Sequence, residues 1–150
     1  LSNLESQRAR AGLTKLNGSG LVITYDDSDS EVISEDSIVH APDLRDTVNL
    51  LWSSGAEAIA INSQRIVINT AIDCIGNTIL INNVRISNPF RIETIGSQES
   101  MYSSLSDPTI LKDIYPRQKN QGLIFAVERN NNITIPAFDG SFEVKTGAGL

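Results

Sequence analysis

The chain has 150 residues, a formal net charge of −6, one Cys and one His. That length suits a single domain with its own core, and the acidic balance excludes a general binder of nucleic acid or anionic membranes, which needs a basic stripe. A lone Cys74 excludes an intrachain disulfide, and Cys74 with His40 is too few ligands for a closed Cys/His zinc site, so no metal and no cofactor is expected.

Leu1 to Leu13 reads as the end of a longer helix. Leu1, Leu4 and Ala11 fit heptad core positions and Arg8 breaks the repeat, so a coiled-coil end and a single helix packed on the domain both fit. No apolar run reaches the roughly 18 residues of a spanning helix. The chain opens on Leu1 rather than Met, so any anchor or signal would lie upstream of these residues. Gly12 and the cluster Asn17-Gly18-Ser19-Gly20 are expected to end the helix and turn the chain. That cluster precedes a strand, Gly20 to Tyr25, and not a helix, so it is no phosphate cradle.

Asp26 to Ser37 carries six carboxylates and few large apolar residues. It lacks the Gly and the acidic spacing of an EF-hand, so a solvated loop is expected in preference to a cation site. His40, beside Pro42, reads as a surface or edge residue.

Asp43 to Arg65 is the unit around which the other segments are placed. Asp43 is expected to cap a helix whose Leu44, Val48, Leu51 and Trp52 share one face, with Gly55 as the left-handed stop. Ala56 to Ile61 is short and apolar, which suits a central strand covered on both faces. Asn62 to Arg65 is a polar corner. Short strands follow at 65–69, 71–74, 78–81 and 84–86, separated by the turn dipeptides Gly76-Asn77 and Asn82-Asn83, with a further strand at 91–95. Ser97 caps a helical turn holding Met101 and Leu105. A second helix is expected from Ser106 or Asp107, with Ile110, Leu111 and Ile114 inward, stopping before Pro116. Residues 116–121 read as a polar connector. Gly122 to Val127 and Ile133 to Pro136 read as a terminal hairpin turned by Asn130 to Asn132, and the chain from Asp139 as a loose tail.

The spine is β-α-β-β-α-β: an α+β, ferredoxin-like sheet with an inserted β-hairpin, preceded by an N-terminal helix. An open α+β sheet with another strand order is the alternative. The expected organisation is a helical stalk end at 1–13, one α+β domain at 14–140 and a loose tail at 141–150.

No nucleophile elbow surrounds any Ser, and a Cys74–His40 pair has no support in the spacing, so no enzyme is expected. The strongest polar constellation is Glu57, Asn62, Gln64 and Arg65, to which Asn82, Arg85 and Arg91 add if the hairpin folds over it. It reads as a structural cluster satisfying the edge of the core, or as a polar pocket for a small ligand or a partner's backbone.

Leu44 to Ile66 resembles the signature of a bacterial family, domain of unknown function 881, whose members include proteins of the YlxW and YlxX type. The matching residues are Asn49, Leu50, Gly55, Ala56, Glu57, Ala58, Ile59, Asn62 and Arg65, followed by Gly76 to Asn82, Pro89 to Ile92, Ile95-Gly96 and Ile133 to Ala137. The resemblance spans about Ala11 to Gly140. It implies an N-terminal membrane anchor, a coiled-coil segment, and this domain on the outer side of the bacterial cytoplasmic membrane. It implies no reaction. A non-enzymatic interaction module follows from it, a homodimer through the stalk with a protein partner in the cell envelope, linked to cell division or envelope assembly. The alternative is a small-ligand-sensing domain at Glu57, Asn62 and Arg65.

Overall fold

The computed structural model describes residues 3–138. The tail expected at 141–150 and the heptad position at Leu1 lie outside the described residues. The described chain is α+β. Its elements in order are α1 (Asn3–Arg10), β1 (Leu16–Asp26), a short 3-10 turn (Glu35–Ser37), α2 (Ala41–Ser53), β2 (Ala56–Ile61), β3 (Gln64–Ile66), β4 (Ile72–Ile75), β5 (Thr78–Ile81), β6 (Val84–Ile86), β7 (Phe90–Gly96), α3 (Gln98–Leu105), α4 (Ile114–Gln121) and β8 (Ile124–Ile135).

Five strands form one sheet in the order β3-β2-β7-β1-β8, and β4-β5-β6 form a second. Every pairing is antiparallel. Alternation along the strands builds two cores. Leu21, Ile23, Tyr25, Ile59, Ile61 and Ile92 point to the face covered by Leu44, Val48 and Leu51 of α2 and Met101 and Leu105 of α3. Each such fully buried aliphatic contributes about 1.5–3 kcal/mol. The small sheet joins the same core through Ile72, Ile79, Ile81 and Ile86. Val22, Ala58, Ala60, Ile95, Ile133 and Ile135 point to the other face. There α1 lies against β2, with Ala9 fully buried.

Several expectations are met in place. β2 is central and buried on both faces, Gly55 has φ of 101° after the last turn of α2, and the Ser97 hydroxyl accepts the Ser100 N–H at the start of α3. The turn residues Asn62, Ser63, Asn82 and Asn83 all have positive φ, as tight two-residue hairpins require.

Four expectations are corrected. Asn17 to Gly20 is not a turn but the first part of an eleven-residue strand. Asn130 to Asn132 does not turn a hairpin either; it lies inside the twelve-residue β8. The two clusters face each other. Pairing runs Gly18 to Ile133 and then Gly20 to Asn130, so β8 carries one extra residue there, a bulge. A Cβ on Gly20 would sit 1.7 Å from the Thr94 carbonyl oxygen, so glycine is demanded by the closeness of β7. The cap of α2 also moves: the helix starts at Ala41 after His40, and Asp43, in the first turn, accepts the His40 N–H at 2.8 Å. Finally, the second late helix does not end before Pro116 but contains it. α4 begins at Ile114, so Pro116 lies in the first turn, where a missing N–H is harmless. The stretch expected to be a polar connector is that helix.

Candidate functional site

Arg65 sits on β3 opposite Ala60 and is 2% exposed. The pairing aims its side chain at the α1 face of the sheet. There Nη1 donates to the carbonyls of Thr14 (2.7 Å) and Pro136 (2.6 Å), and Nη2 donates to Ala9 O in the last turn of α1 (2.7 Å). A guanidinium suits this work because its planar fork reaches several acceptors at once. One cation thus ties the end of the N-terminal helix, the segment before β1 and the segment after β8 to one point on the sheet. It also adds a charged donor at the carbonyl end of α1, where Ala9 O already accepts the Gly12 N–H (2.9 Å) and a positive charge is favourable. Burial pulls the Arg65 pKa below its ordinary value.

The rest of the expected constellation divides. The Asn82 side chain donates to Arg65 O at 2.9 Å, so those two meet. Asn62 serves another junction: its amide donates to Ser87 O and Pro89 O, and its oxygen accepts the Arg91 N–H at 2.7 Å, fastening the entry of β7. The Arg91 guanidinium is exposed, 3.8 Å from Glu93. Glu57 is half-buried where the β2–β7 register shifts, and Gln64 is half-buried opposite Ile61. Asn62, Arg65 and Asn82 therefore direct their hydrogen bonds to the chain's own backbone.

A second polar centre was not legible in the sequence. Arg117 on α4 is 5% exposed. It donates to both Asp43 oxygens at 2.7 and 3.1 Å, to Asp113 at 3.0 Å, and to the carbonyls of Asp36 (3.1 Å) and Ile38 (2.7 Å). Burial pulls Arg117 down, yet the hydrogen bonds and charges of Asp43 and Asp113 more than offset this and leave it above its ordinary value. Beside it, the Thr47 hydroxyl donates to Asp43 O and lies 2.8 Å from the Tyr25 hydroxyl. Burial holds the Tyr25 hydroxyl well above its ordinary 10.0. The spacing of Asp113 and Arg117, four residues apart, was the available signal.

A cleft of about 340 Å³ opens between the β4–β5 hairpin and the loop before α2. Cys74 and His40, unrelated in sequence, both line it. The His40 ring is held by the Glu35 carbonyl, 2.7 Å from Nε2.

The fold and the Arg65 tie define an α+β domain with a helix fixed to the outer face of its sheet. The chain belongs to a family described as bacterial protein of unknown function (DUF881), whose model matches residues 3–147. It is 29% identical over 147 residues to UPF0749 protein YlxX of Bacillus subtilis (strain 168), covering 96% of this chain and 62% of that one. It is 30% identical over 109 residues to YlxW of the same organism, covering 71% and 47%. UPF0749 protein Rv1823 of Mycobacterium tuberculosis (strain ATCC 25618 / H37Rv) is 29% identical over 147 residues, covering 91% and 48%. The chain thus spans between 47% and 62% of the length of these relatives. The crystal structure of an uncharacterized conserved protein from Mycobacterium tuberculosis superposes with a TM-score of 0.75 at 21% identity, over 93% of this chain and 94% of that one, and so shares the fold.

Proposed function

We propose that this domain is a non-enzymatic interaction module of a membrane-anchored bacterial protein, held on the extracytoplasmic side by a helical stalk. In this reading the protein is a homodimer through that stalk, and the domain docks a protein partner in cell division or envelope assembly. The observation that carries it is the Arg65 tie. By fastening Ala9 O to the sheet, it makes α1 a rigid lever rather than a tether, so the direction of the stalk sets the orientation of the domain. The exposed Leu4 side chain, 66% accessible, suits a seam with a second helix.

The fold reading that goes with this is ferredoxin-like. With β3 and the small sheet set aside, β1-α2-β2 and β7-α3-β8 are the two halves, and β8-β1-β7-β2 is the order 4-1-3-2 of that plan. The plan serves many functions and names none.

Leu4 and Ala11 are both exposed, so Leu4→Asp with Ala11→Asp leaves the domain core untouched. In the full-length protein the pair should abolish self-association in analytical ultracentrifugation. Unchanged association would remove the stalk from the account.

A further inference from the structure

On the footing of that interaction-module reading, we propose that the cleft beside the β4–β5 hairpin docks a basic peptide segment carrying one apolar anchor side chain. The cleft has an apolar floor. Register pairs Cys74 with Ile79 and Ile79 with Ile86, so these three share one face of the small sheet, the face turned toward the core. Phe90 and Val39 complete the floor. Its volume, about 340 Å³, lies at the low end for ligand pockets. It admits one large side chain with adjoining backbone, not a folded surface.

The rim is negative. Asp27 is in the lining, and the Glu35 carboxylate lies 3.5 Å from His40, which also lines the cleft. The nearby cations do not neutralise it. Arg117 is buried and committed to Asp43 and Asp113. Arg85 touches the lining, but it pairs with Leu80 while its neighbour Ile86 faces inward, so its side chain leaves by the opposite face. His40 lies 3.5 Å from Glu35. An anionic ligand would meet repulsion at the mouth, whereas Lys or Arg flanking an apolar residue would meet complementary charge.

The occupant also accounts for Ile33. This residue is 75% exposed beside the equally exposed Val32, and of the two it is Ile33 that lines the cleft. An inserted anchor would give it an apolar surface to cover. The loop is held at its base by Ser28 N–H to Ser37 O (2.7 Å) and Val39 N–H to Asp27 (2.8 Å), which keeps Ile33 at the mouth.

The test uses the full chain and three capped pentapeptides: Lys-Lys-Phe-Lys-Lys, its Ser-centred analogue, and Glu-Glu-Phe-Glu-Glu. Binding is read from amide shifts and from the rate at which iodoacetamide alkylates Cys74, an exposed thiol on the cleft. The Lys/Phe peptide should shift the amides of Gly76, Asn77, Ile79 and Ile86 and slow alkylation about threefold or more. The other two should do neither. Ile33→Ser should weaken the effect about fivefold through the lost apolar contact. Equal effects from the Ser-centred peptide would reduce the contact to charge condensation on the loop, and no effect from any peptide would also overturn the proposal. If the peptides fail while Leu4→Asp with Ala11→Asp still abolishes self-association, the module stands and only the cleft falls.

Discussion

Replacing Arg117 by Met keeps the apolar stem and removes the charge. Asp43 is then left as a carboxylate only 8% exposed, having lost its two short bonds from Arg117. Breaking a buried pair by removing one partner costs about 3–5 kcal/mol, because the remaining charge stays desolvated. The contact to Asp113 adds little to this, since that carboxylate is 79% exposed and screened. For a domain of this size each kcal/mol moves Tm by about 2–4 °C, so Arg117→Met should lower Tm by roughly 6–20 °C. The Asp36 and Ile38 carbonyls lose their donor as well, so the 3-10 turn and the approach to α2 should exchange amide protons faster than the rest of the core. Asp43→Asn keeps an acceptor for the His40 N–H and removes the charge. If the ion pair is the source of the cost, adding Arg117→Met to Asp43→Asn should cost clearly less than Arg117→Met alone. Thermal melts of the four proteins decide it. A Tm loss for Arg117→Met below about 2 °C, or full additivity in the cycle, would refute the reasoning.

Arg65→Met should destabilise by about 3 kcal/mol or more, because three backbone carbonyls lose a charged donor; proteolysis should then cut within residues 3–14, and an intact α1 would count against the lever. Gly20→Ala should prevent stable folding, since its Cβ meets the Thr94 carbonyl at 1.7 Å, whereas Gly18→Ala meets only the γ2-methyl of Ile95 at 3.1 Å and should cost far less in a chemical melt. Tyr25 supplies a pH dependence. Its folded pKa is raised by burial, so its contribution is full below the ordinary 10.0 and is lost as pH rises toward the folded value. Stability should fall above about pH 10, and Tyr25→Phe should flatten that alkaline limb while costing about 1 kcal/mol at neutral pH for the lost hydrogen bond to Thr47.

The local signals were sound wherever the local choice and the fold agreed. The face of α2, the buried β2, the Ser97 cap and the Asn-rich hairpin turns follow from periodicity and side-chain chemistry within a few residues. The family signature was legible for the same reason: its motifs are short and contiguous. Gly and Asn clusters misled because their usual meaning is a turn. At Asn17 to Gly20 and Asn130 to Asn132 the two clusters meet across a ladder, and what they supply is a bulge and a close approach to β7. Neither strand alone contains that information.

The sequence by itself determined the α+β class, the core-forming residues of α2 and β2, and the family. The tertiary structure decided what the charged residues do. Arg65 looked like one member of a polar corner, and Arg117 like part of a connector. The fold buries both, and a buried guanidinium has to find acceptors. Arg65 finds them 51, 56 and 71 residues away, and Arg117 finds Asp43 at a separation of 74. Such pairings are set by how the helices and strands close on one another, and no local pattern encodes them.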